Sequence, residues 1–373
     1  MRHRLFVLIA LFLVVAITAS ACQGQAGSPT PLSEPATEGG AGEQPTAAGD
    51  TGEQPATEGG AEATGKKATY VSTGPIGVNP FLQLIAEGLE RGGEECGVET
   101  RVIESTDLAA MEDNLRAAIE EGNDLIVVNS FDSVDAVTRL SGEFPDQKWA
   151  IVDAGIENND QVRGILFREH EGTFLIGAIM GRLTESNTVG FIGAMDIPLI
   201  RRWWVGFEEG VKHVNPEATV LENWVNSWND PATSKELALT QAEQGADYIA
   251  GVAAAGNTGI FEAAKERGFF TSGVDTDQRP LDPEHIIESM VKRSDVGVHE
   301  AVCDVANDQF TGGFQDYGLK ENGVGPAFLV LEDLEIPSTL PEEIQTEVRD
   351  LAEQIKSGEL VVTDYLATQE GEQ

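Results

Sequence analysis

The sequence predicts an α/β protein made of two successive units, each a parallel sheet flanked by helices. Short β-branched or continuously apolar runs alternate with stretches of helical periodicity from residue 68 onward. Strands of this kind, separated by helices, are typical of parallel sheets that are buried on both faces. The alternation occurs twice along the chain, and a length of 373 residues favours more than one domain.

The first unit contains five predicted strands, at residues 68–72, 99–103, 124–129, 148–153 and 162–167. Helical periodicity separates them, for example over residues 81–92 and 108–121. Asn79 directly precedes Pro80 and the first of these helices. Asparagine before a proline is a typical helix start, so Asn79 is expected to cap this helix.

The second unit repeats the pattern, with predicted strands at residues 188–194, 219–225, 247–253, 270–275 and 286–291. Its predicted helices are residues 199–214, 232–244 and 258–268. Ligands of open α/β sheets bind beyond the carboxyl ends of the strands. The ligand site is therefore expected in a cleft between the two units, among residues that follow strand ends.

Residues 1–21 have the features of a secretory signal peptide. Arg2 and Arg4 precede thirteen apolar residues, a run that is short for a membrane span but typical of a signal core. Small residues then lead directly to Cys22, as in a bacterial lipoprotein cleavage site. We expect Cys22 to become the lipidated N-terminus; the alternative is an ordinary signal in which Cys22 has no role.

Residues 22–66 are expected to form a lipid-anchored, disordered, acidic linker. Pro35–Ala41 returns as Pro55–Ala61, and Gly, Ala, Pro, Thr and Glu dominate the segment. This composition buries too little apolar surface to offset chain entropy. A spacer after a lipid anchor would hold a folded domain away from a membrane surface.

Composition and motifs exclude several classes of function. The net charge of −39, from 63 acidic and 24 basic residues, argues against nucleic-acid binding. The sequence contains no G-x-S-x-G motif, and its five histidines lack metal-ligand spacing. Gly251 to Gly256 resembles the start of a phosphate loop, but Asn257 stands where lysine is required. We therefore expect no catalytic residue, metal or cofactor, and predict that the protein is not an enzyme.

Several motifs carry a resemblance to a known family. They are Met195–Arg202, Gly206–Gly210, Trp228–Pro231, Gly273–Gln278 and Ser289–Arg293. In this order they resemble the basic membrane protein family, the substrate-binding lipoproteins of ABC importers that are similar to purine nucleoside receptors. The resemblance covers about residues 68–330 and implies a two-lobed, type I periplasmic-binding-protein fold with three crossovers. The implied lobes are residues 67–168 plus 293–312, and residues 169–292 plus 313–373.

The resemblance also implies the ligand-binding residues. Phe81 and Trp228 match the aromatic side chains that clamp a nucleoside from the two lobes. Asp275 and Lys292 match the pair that holds the ribose, while Gly256 and Asn257 lie in the matching glycine-rich loop. Asn79, Ser130 and Asp153 are added because they follow strand ends.

Two positions depart from the family pattern. The family's first loop usually reads Asp-x-x-Phe-Asn, whereas this chain has Val78 and Leu82 in place of the aspartate and asparagine. Two polar groups expected near the base are therefore missing. Trp203 and Trp204 are expected in the core or on a partner surface. Cys96 and Cys303 would lie on neighbouring helices in this fold, which implies a disulfide; the alternative is two buried free thiols.

The expected function is that of an extracytoplasmic binding protein, lipid-anchored to the outer face of a bacterial cell membrane. It would capture a small ligand, a nucleoside or a related compound, and deliver it as a monomer to an ABC transporter permease. One alternative is a ligand-sensing ectodomain for a signalling partner. Another is a transport receptor for a more apolar ligand that is not a nucleoside.

Overall fold

The computed structural model describes residues 62–370. The predicted signal peptide, Cys22 and most of the predicted linker lie outside this range. Residues 62–370 belong to one compact unit. None of the helices within residues 62–370 combines the length and the apolarity that crossing a bilayer requires.

The described residues contain twelve strands and eleven α-helices. The strands are β1 Lys67–Ser72, β2 Glu99–Glu104, β3 Leu125–Asn129, β4 Lys148–Val152, β5 Val162–Phe167, β6 Thr188–Gly193, β7 Thr219–Trp224, β8 Tyr248–Val252, β9 Phe270–Asp275, β10 Ile286–Lys292, β11 Gly313–Tyr317 and β12 Val324–Pro326. The helices are α1 Pro80–Cys96, α2 Leu108–Glu120, α3 Val134–Glu143, α4 Glu169–Leu183, α5 Pro198–Val214, α6 Pro231–Glu243, α7 Asn257–Arg267, α8 Ser294–Ala306, α9 Ala327–Val330, α10 Glu342–Ser357 and α11 Tyr365–Glu370. All ten strands predicted from the sequence are confirmed, with each end within one residue.

Two six-stranded sheets form the two lobes. The first has the order β11-β5-β4-β3-β1-β2, and the second has the order β12-β10-β9-β8-β6-β7. All pairings are parallel except that between β10 and β12. Central strands such as β3 are buried along their whole length, which explains their unbroken apolar sequence. The predicted α/β class, with a largely parallel sheet in each lobe, is confirmed.

The chain passes between the two sheets three times, after β5, after β10 and after β11. The last passage corrects a predicted boundary, because the family resemblance places all residues after 312 in the second lobe. Strand β11 instead pairs with β5 at the edge of the first sheet. Its sequence, Gly-Phe-Gln-Asp-Tyr, is largely exposed and has no apolar run that would have revealed a strand.

Helices α1 and α8 pack closely in the first lobe. Gly92 of α1 leaves room for Val302 of α8, since an added Cβ would lie 2.8 Å from the Val302 Cβ. Cys96 and Cys303 form a disulfide between these helices, with their Cα atoms 5.3 Å apart. This separation lies in the ordinary range for a disulfide. The structure therefore contains the bridge that the family resemblance implies.

Asn79 caps α1, as the sequence predicts. Its side-chain oxygen accepts a hydrogen bond from the backbone N–H of Phe81 at 3.1 Å. Proline follows at the first helical position, where its missing N–H costs nothing. The cap fixes the start of α1 next to the end of β1, and so places Phe81 at the carboxyl edge of the first sheet.

Candidate functional site

A cavity of about 490 Å³ lies where the carboxyl ends of strands from both sheets approach each other. Its aromatic lining residues are Phe81, Phe131, Trp203 and Trp228. Its polar lining residues are Thr73, Asn79, Asn129, Ser130, Asp153, Asn229, Asp275 and Lys292. The remaining wall is formed by Gly74, Pro75, Ile76, Gly77, Val78, Leu82, Leu199, Ile200, Val252, Ala254, Ala255 and Val274. A mostly apolar cavity with a few convergent polar groups is typical of a small-molecule site.

Most of the residues predicted for the site surround this cavity. They are Asn79, Phe81, Ser130, Asp153, Trp228, Asp275 and Lys292. They come from separate loops of both lobes, and all of them follow or end a strand, or begin the helix after it. Their contact with a ligand stays a prediction.

Gly256 and Asn257 do not line the cavity, which corrects their prediction as contact residues. The Asn257 side chain is fully buried. Its Oδ1 accepts from the Ala253 N–H at 2.9 Å, and its Nδ2 donates to the Gly251 carbonyl at 3.1 Å. Asn257 therefore stabilises the loop after β8 through these two hydrogen bonds, and its amide is directed toward the backbone of β8 and away from the cavity.

Lys292 joins the two lobes electrostatically. It ends β10 of the second sheet, and its Nζ lies 2.7 Å from Oδ2 of Asp153, which follows β4 of the first sheet. Both side chains are nearly inaccessible, at 4% and 7% exposure. Burial opposes the charged form of Lys292, but Asp153, Glu169 and Asp275 outweigh it and raise the pKa of Lys292 above its ordinary value. The lysine is therefore charged at neutral pH, and its ammonium group lines the cavity.

Asp275 presents a carboxylate that the protein itself leaves free. It ends β9, is 5% exposed and makes no side-chain hydrogen bond within residues 62–370. Burial raises the pKa of Asp275 to about 6; Lys292 opposes this increase and Asp153 adds to it. Near neutral pH the carboxylate can accept hydrogen bonds from a ligand that displaces water from the cavity.

Four residues that line the cavity have left-handed backbone conformations. Ser130, Asp153, Ala254 and Asp275 have φ angles of 70°, 64°, 51° and 65°. Residues other than glycine adopt such angles at a cost of about 1–3 kcal/mol. All four lie at or just after strand ends, where the chain turns into the cavity wall. The strain is therefore associated with the shape of this cavity.

Aromatic rings surround the Lys292 ammonium group. Its Nζ lies 4.5 Å from the ring centroid of Phe81, 5.4 Å from that of Trp203 and 5.5 Å from that of Phe167. These distances allow cation–π attraction, which is stronger in a desolvated site. Phe81 thus has a second contact besides any ligand, and this contact fixes its ring at the cavity wall.

Sequence reasoning missed two aromatic lining residues. Trp203 is buried as expected for a core residue, but it also lines the cavity. It lies one turn after Leu199 on α5, the helix that follows β6, so the strand-end rule could have found it. Phe131 lies two residues after the end of β3 and is 48% exposed at the cavity.

A buried charged chain extends from Lys292 away from the cavity. Oε1 of Glu169 lies 3.6 Å from Lys292 Nζ, and its Oε2 lies 3.1 Å from Nη1 of Arg202. Nη2 of Arg202 reaches Asp364 at 2.7 Å. Burial raises the pKa of Glu169, although Lys292 and Arg202 oppose this increase. The sequence analysis did not identify Glu169. Its carboxylate helps to position the Lys292 ammonium group from the side away from the cavity.

The first loop of the cavity is apolar. Val78 is 63% exposed and Leu82 is 6% exposed, and both line the cavity. Ile76 lies in the same wall. The two departures from the family's loop therefore lie on the cavity surface, where they replace polar groups with aliphatic ones.

Comparison with known proteins agrees with this arrangement. The family described as ABC transporter substrate-binding protein PnrA-like matches residues 66–365. Basic membrane protein A of Borreliella burgdorferi is 28% identical over 306 residues, which cover 79% of this chain and 87% of that protein. A CD4+ T-cell-stimulating antigen of Listeria monocytogenes is 27% identical, with coverage of 80% and 87%. An uncharacterized lipoprotein of Pyrococcus abyssi is 29% identical, with coverage of 83% and 86%.

Solved structures with the same fold include other solute-binding proteins. An ABC transporter system solute-binding protein from Aeropyrum pernix K1 has a TM-score of 0.70 and 29% identity, covering 82% of this chain and 96% of that one. A solute-binding protein from Conexibacter woesei has a TM-score of 0.66 at 21% identity, covering 80% and 99%. With its two lobes and an interlobe cavity, the chain belongs to the PnrA-like family of ABC transporter substrate-binding proteins.

Proposed function

We propose that this protein binds a nucleoside or a closely related compound in the interlobe cavity and delivers it to an ABC importer. One observation carries the proposal: aromatic side chains and an unpaired carboxylate from different loops converge on one cavity. A nucleoside has a flat base for the aromatic faces and hydroxyl groups for the carboxylate. No charged group on the ligand is required.

The base would lie against Phe81 and Trp228, which come from the first and the second lobe. Both rings line the cavity, and Trp228 is 37% exposed at its edge. Aromatic faces stack on every base, so this contact would favour nucleosides as a class. Closure of the lobes would bring Trp228 over the ligand, because its loop belongs to the second lobe.

The ribose would lie near Asp275 and Lys292. A carboxylate accepts hydrogen bonds from two neighbouring hydroxyls, and the ammonium group donates to a hydroxyl or ring oxygen. Lys292 already contacts Asp153 at 2.7 Å, so it is held in place before the ligand arrives. Such preorganisation reduces the cost of binding.

Isothermal titration calorimetry on residues 58–373 tests the proposal with adenosine, guanosine, inosine and uridine. Free bases, ribose and nucleoside monophosphates serve as comparisons. Saturable 1:1 binding of at least one nucleoside, tighter than that of its separate base or ribose, supports the proposal. If no nucleoside binds, the nucleoside assignment is wrong.

Trp228→Ala is expected to weaken nucleoside binding by about 5- to 150-fold, because stacking on a base contributes about 1–3 kcal/mol. Calorimetry measures the change. Trp228→Phe keeps an aromatic face and should retain most of the affinity. Neither substitution should lower the melting temperature appreciably, since the side chain is partly exposed. Unchanged affinity in Trp228→Ala would place the base elsewhere in the cavity.

Nucleoside affinity is expected to fall at acid pH. The pKa of Asp275 is raised to about 6, and only its ionised form accepts two hydroxyl hydrogen bonds. Below about pH 6 the proton must leave before binding, so Kd should rise about tenfold per pH unit. Titrations between about pH 7.5 and 5 measure this slope. Asp275→Asn should bind weakly with a much flatter profile, and a flat profile in the unsubstituted protein would contradict the proposed contact.

The apolar loop favours a second candidate, a more lipophilic small molecule. Ile76, Val78 and Leu82 all line the cavity, and their side chains offer no hydrogen bond. A site without polar groups at these positions does not penalise ligands that lack polar groups. Binding of an apolar aromatic compound, with no nucleoside binding in the same calorimetric series, would favour this candidate over the first.

We further propose that Cys22 is lipidated and that the protein works outside the cytoplasm. The signal-like segment, the cysteine after small residues and the linker composition support this, as do relatives named lipoproteins. Radiolabelled palmitate is expected to enter the full chain in a bacterial host and to be lost in Cys22→Ala. Equal labelling of both chains would contradict lipidation at Cys22.

A further inference from the structure

A second cluster of chemically active side chains lies on α1 and α8, away from the cavity. Glu95 and Cys96 end α1, and His299 and Cys303 lie one helical turn apart on α8. None of the four lines the cavity. The ligand atoms of Cys96, His299 and Cys303 all lie within 4.8 Å of one another. Oε2 of Glu95 lies 2.7 Å from Nε2 of His299.

We propose that these four side chains form a site for one zinc-like divalent cation when the disulfide is reduced. Zinc prefers four ligands in a tetrahedron and accepts thiolate, imidazole and carboxylate groups together. In such a site neighbouring ligand atoms lie roughly 3.3–3.8 Å apart. Nε2 of His299 is already 3.7 Å from Sγ of Cys303, within this range, whereas the two sulfurs are bonded to each other in the disulfide and would have to move apart.

The chain positions suit this role. His299 and Cys303 are four residues apart on α8, which places both side chains on one helix face. Cys96 and Glu95 approach that face from the end of α1. His299 is 22% exposed and Glu95 is 58% exposed, so an ion can reach the site from solvent. The site thus has two ligands from each helix.

The redox state of the Cys96–Cys303 disulfide determines whether the proposed metal site can form. Bonded sulfurs are poor metal ligands, because the thiolate is the species that binds. A dithiol reductant transfers two electrons and two protons to the S–S bond, which yields two thiols and converts the reductant to its own disulfide. The cation then displaces both thiol protons to solvent and forms two metal–sulfur bonds. A small-molecule disulfide reverses the sequence: it accepts two electrons from the thiolates and two protons from solvent and becomes a dithiol, while the Cys96–Cys303 bond forms again and the ion is released.

Either state would link the same two helices. In the oxidised protein the Cys96–Cys303 bond joins α1 to α8 across 207 residues of chain. In the reduced protein the cation would join them through both thiolates and His299. The packing of the first lobe would therefore be retained in either state, provided that metal is available. This role is independent of the ligand bound in the cavity.

Cobalt titration of residues 58–373 tests the proposal, since Cys96 and Cys303 are the cysteines of this segment. The protein is reduced with a dithiol, freed of reductant without oxygen, and titrated with Co²⁺ and then Zn²⁺. We expect one equivalent of Co²⁺, with thiolate-to-metal absorption that Zn²⁺ removes. The oxidised protein should show none of this absorption. Zn²⁺ should also raise the melting temperature of the reduced protein but not that of the oxidised protein.

Variants separate a built site from adventitious binding. His299→Ala should weaken Co²⁺ binding by at least about tenfold, and Cys96→Ser should abolish the thiolate spectrum of a two-sulfur site. His285→Ala is the matched control, because His285 contacts Asp282 away from the cluster. Binding by the reduced protein that is no tighter than by Cys96→Ser, or equal loss in His285→Ala, would overturn the proposal.

Discussion

Asp275→Ala is expected to weaken nucleoside binding by about 10- to 150-fold. The carboxylate is 5% exposed, has no hydrogen-bond partner within the described residues and points its charge at a cavity. A hydrogen bond to a charged group contributes about 1.5–3 kcal/mol, and the ribose offers two hydroxyls to one carboxylate. Calorimetry at neutral pH measures the loss directly, with 2′- and 3′-deoxynucleosides reporting each hydroxyl separately.

The melting temperature of Asp275→Ala shows whether the loss of nucleoside affinity results from misfolding. Burial makes the charged form of Asp275 unfavourable in the free protein, so removal of the carboxylate should leave the melting temperature at neutral pH unchanged or higher. Asp350→Ala is a control on the exposed surface of α10 and should change neither quantity. If Asp275→Ala binds nucleosides as tightly as the parent protein, Asp275 does not contact the ligand and the proposed contact is wrong.

Lys292→Met is expected to lower the free energy of unfolding by about 3–5 kcal/mol, the usual cost of removing one partner from a buried ion pair. The substitution leaves Asp153 and Glu169 buried without the ammonium group that lies 2.7 and 3.6 Å from them. Urea unfolding at neutral pH measures the change. Nucleoside binding should be lost as well.

The loss of unfolding free energy in Lys292→Met is expected to increase with pH. Burial raises the pKa of Glu169 to about 7 and that of Asp275 to about 6, and Lys292 opposes both increases, so without the lysine these two folded-state pKa values should lie further above their unfolded values. Stability from such groups is present at low pH and is lost as pH rises through the folded-state pKa. The deficit of Lys292→Met should therefore grow from about pH 5 to 8, and Asp153→Asn in the same chain should recover part of it. A variant as stable as the parent protein at neutral pH would show that the ion pair contributes no net stability.

The local sequence predicts most of the fold. Most of the ten predicted strands are buried runs of apolar or β-branched residues, whereas β2 and β7 are partly exposed edge strands with β-branched residues; each prediction agrees with the structure within one residue. Strand β11 was missed because an exposed edge strand needs no such run. The strand-end rule and the family resemblance together placed Phe81, Trp228, Asp275 and Lys292 around one cavity, although their ligand contacts stay predictions.

The amino-acid sequence alone therefore predicts the alternation of strands and helices, and the sheet edge at which the polar groups lie. Which of these groups contact each other is established only by the packing of the two lobes. Lys292 and Asp153 are 139 residues apart in the chain, and their pairing depends on how the lobes face each other. The burial of Asn257 and the Glu169–Arg202 contact likewise arise from packing. Periodicity records the surroundings of one segment, whereas an ion pair between lobes depends on the relative placement of two segments, which no local pattern encodes.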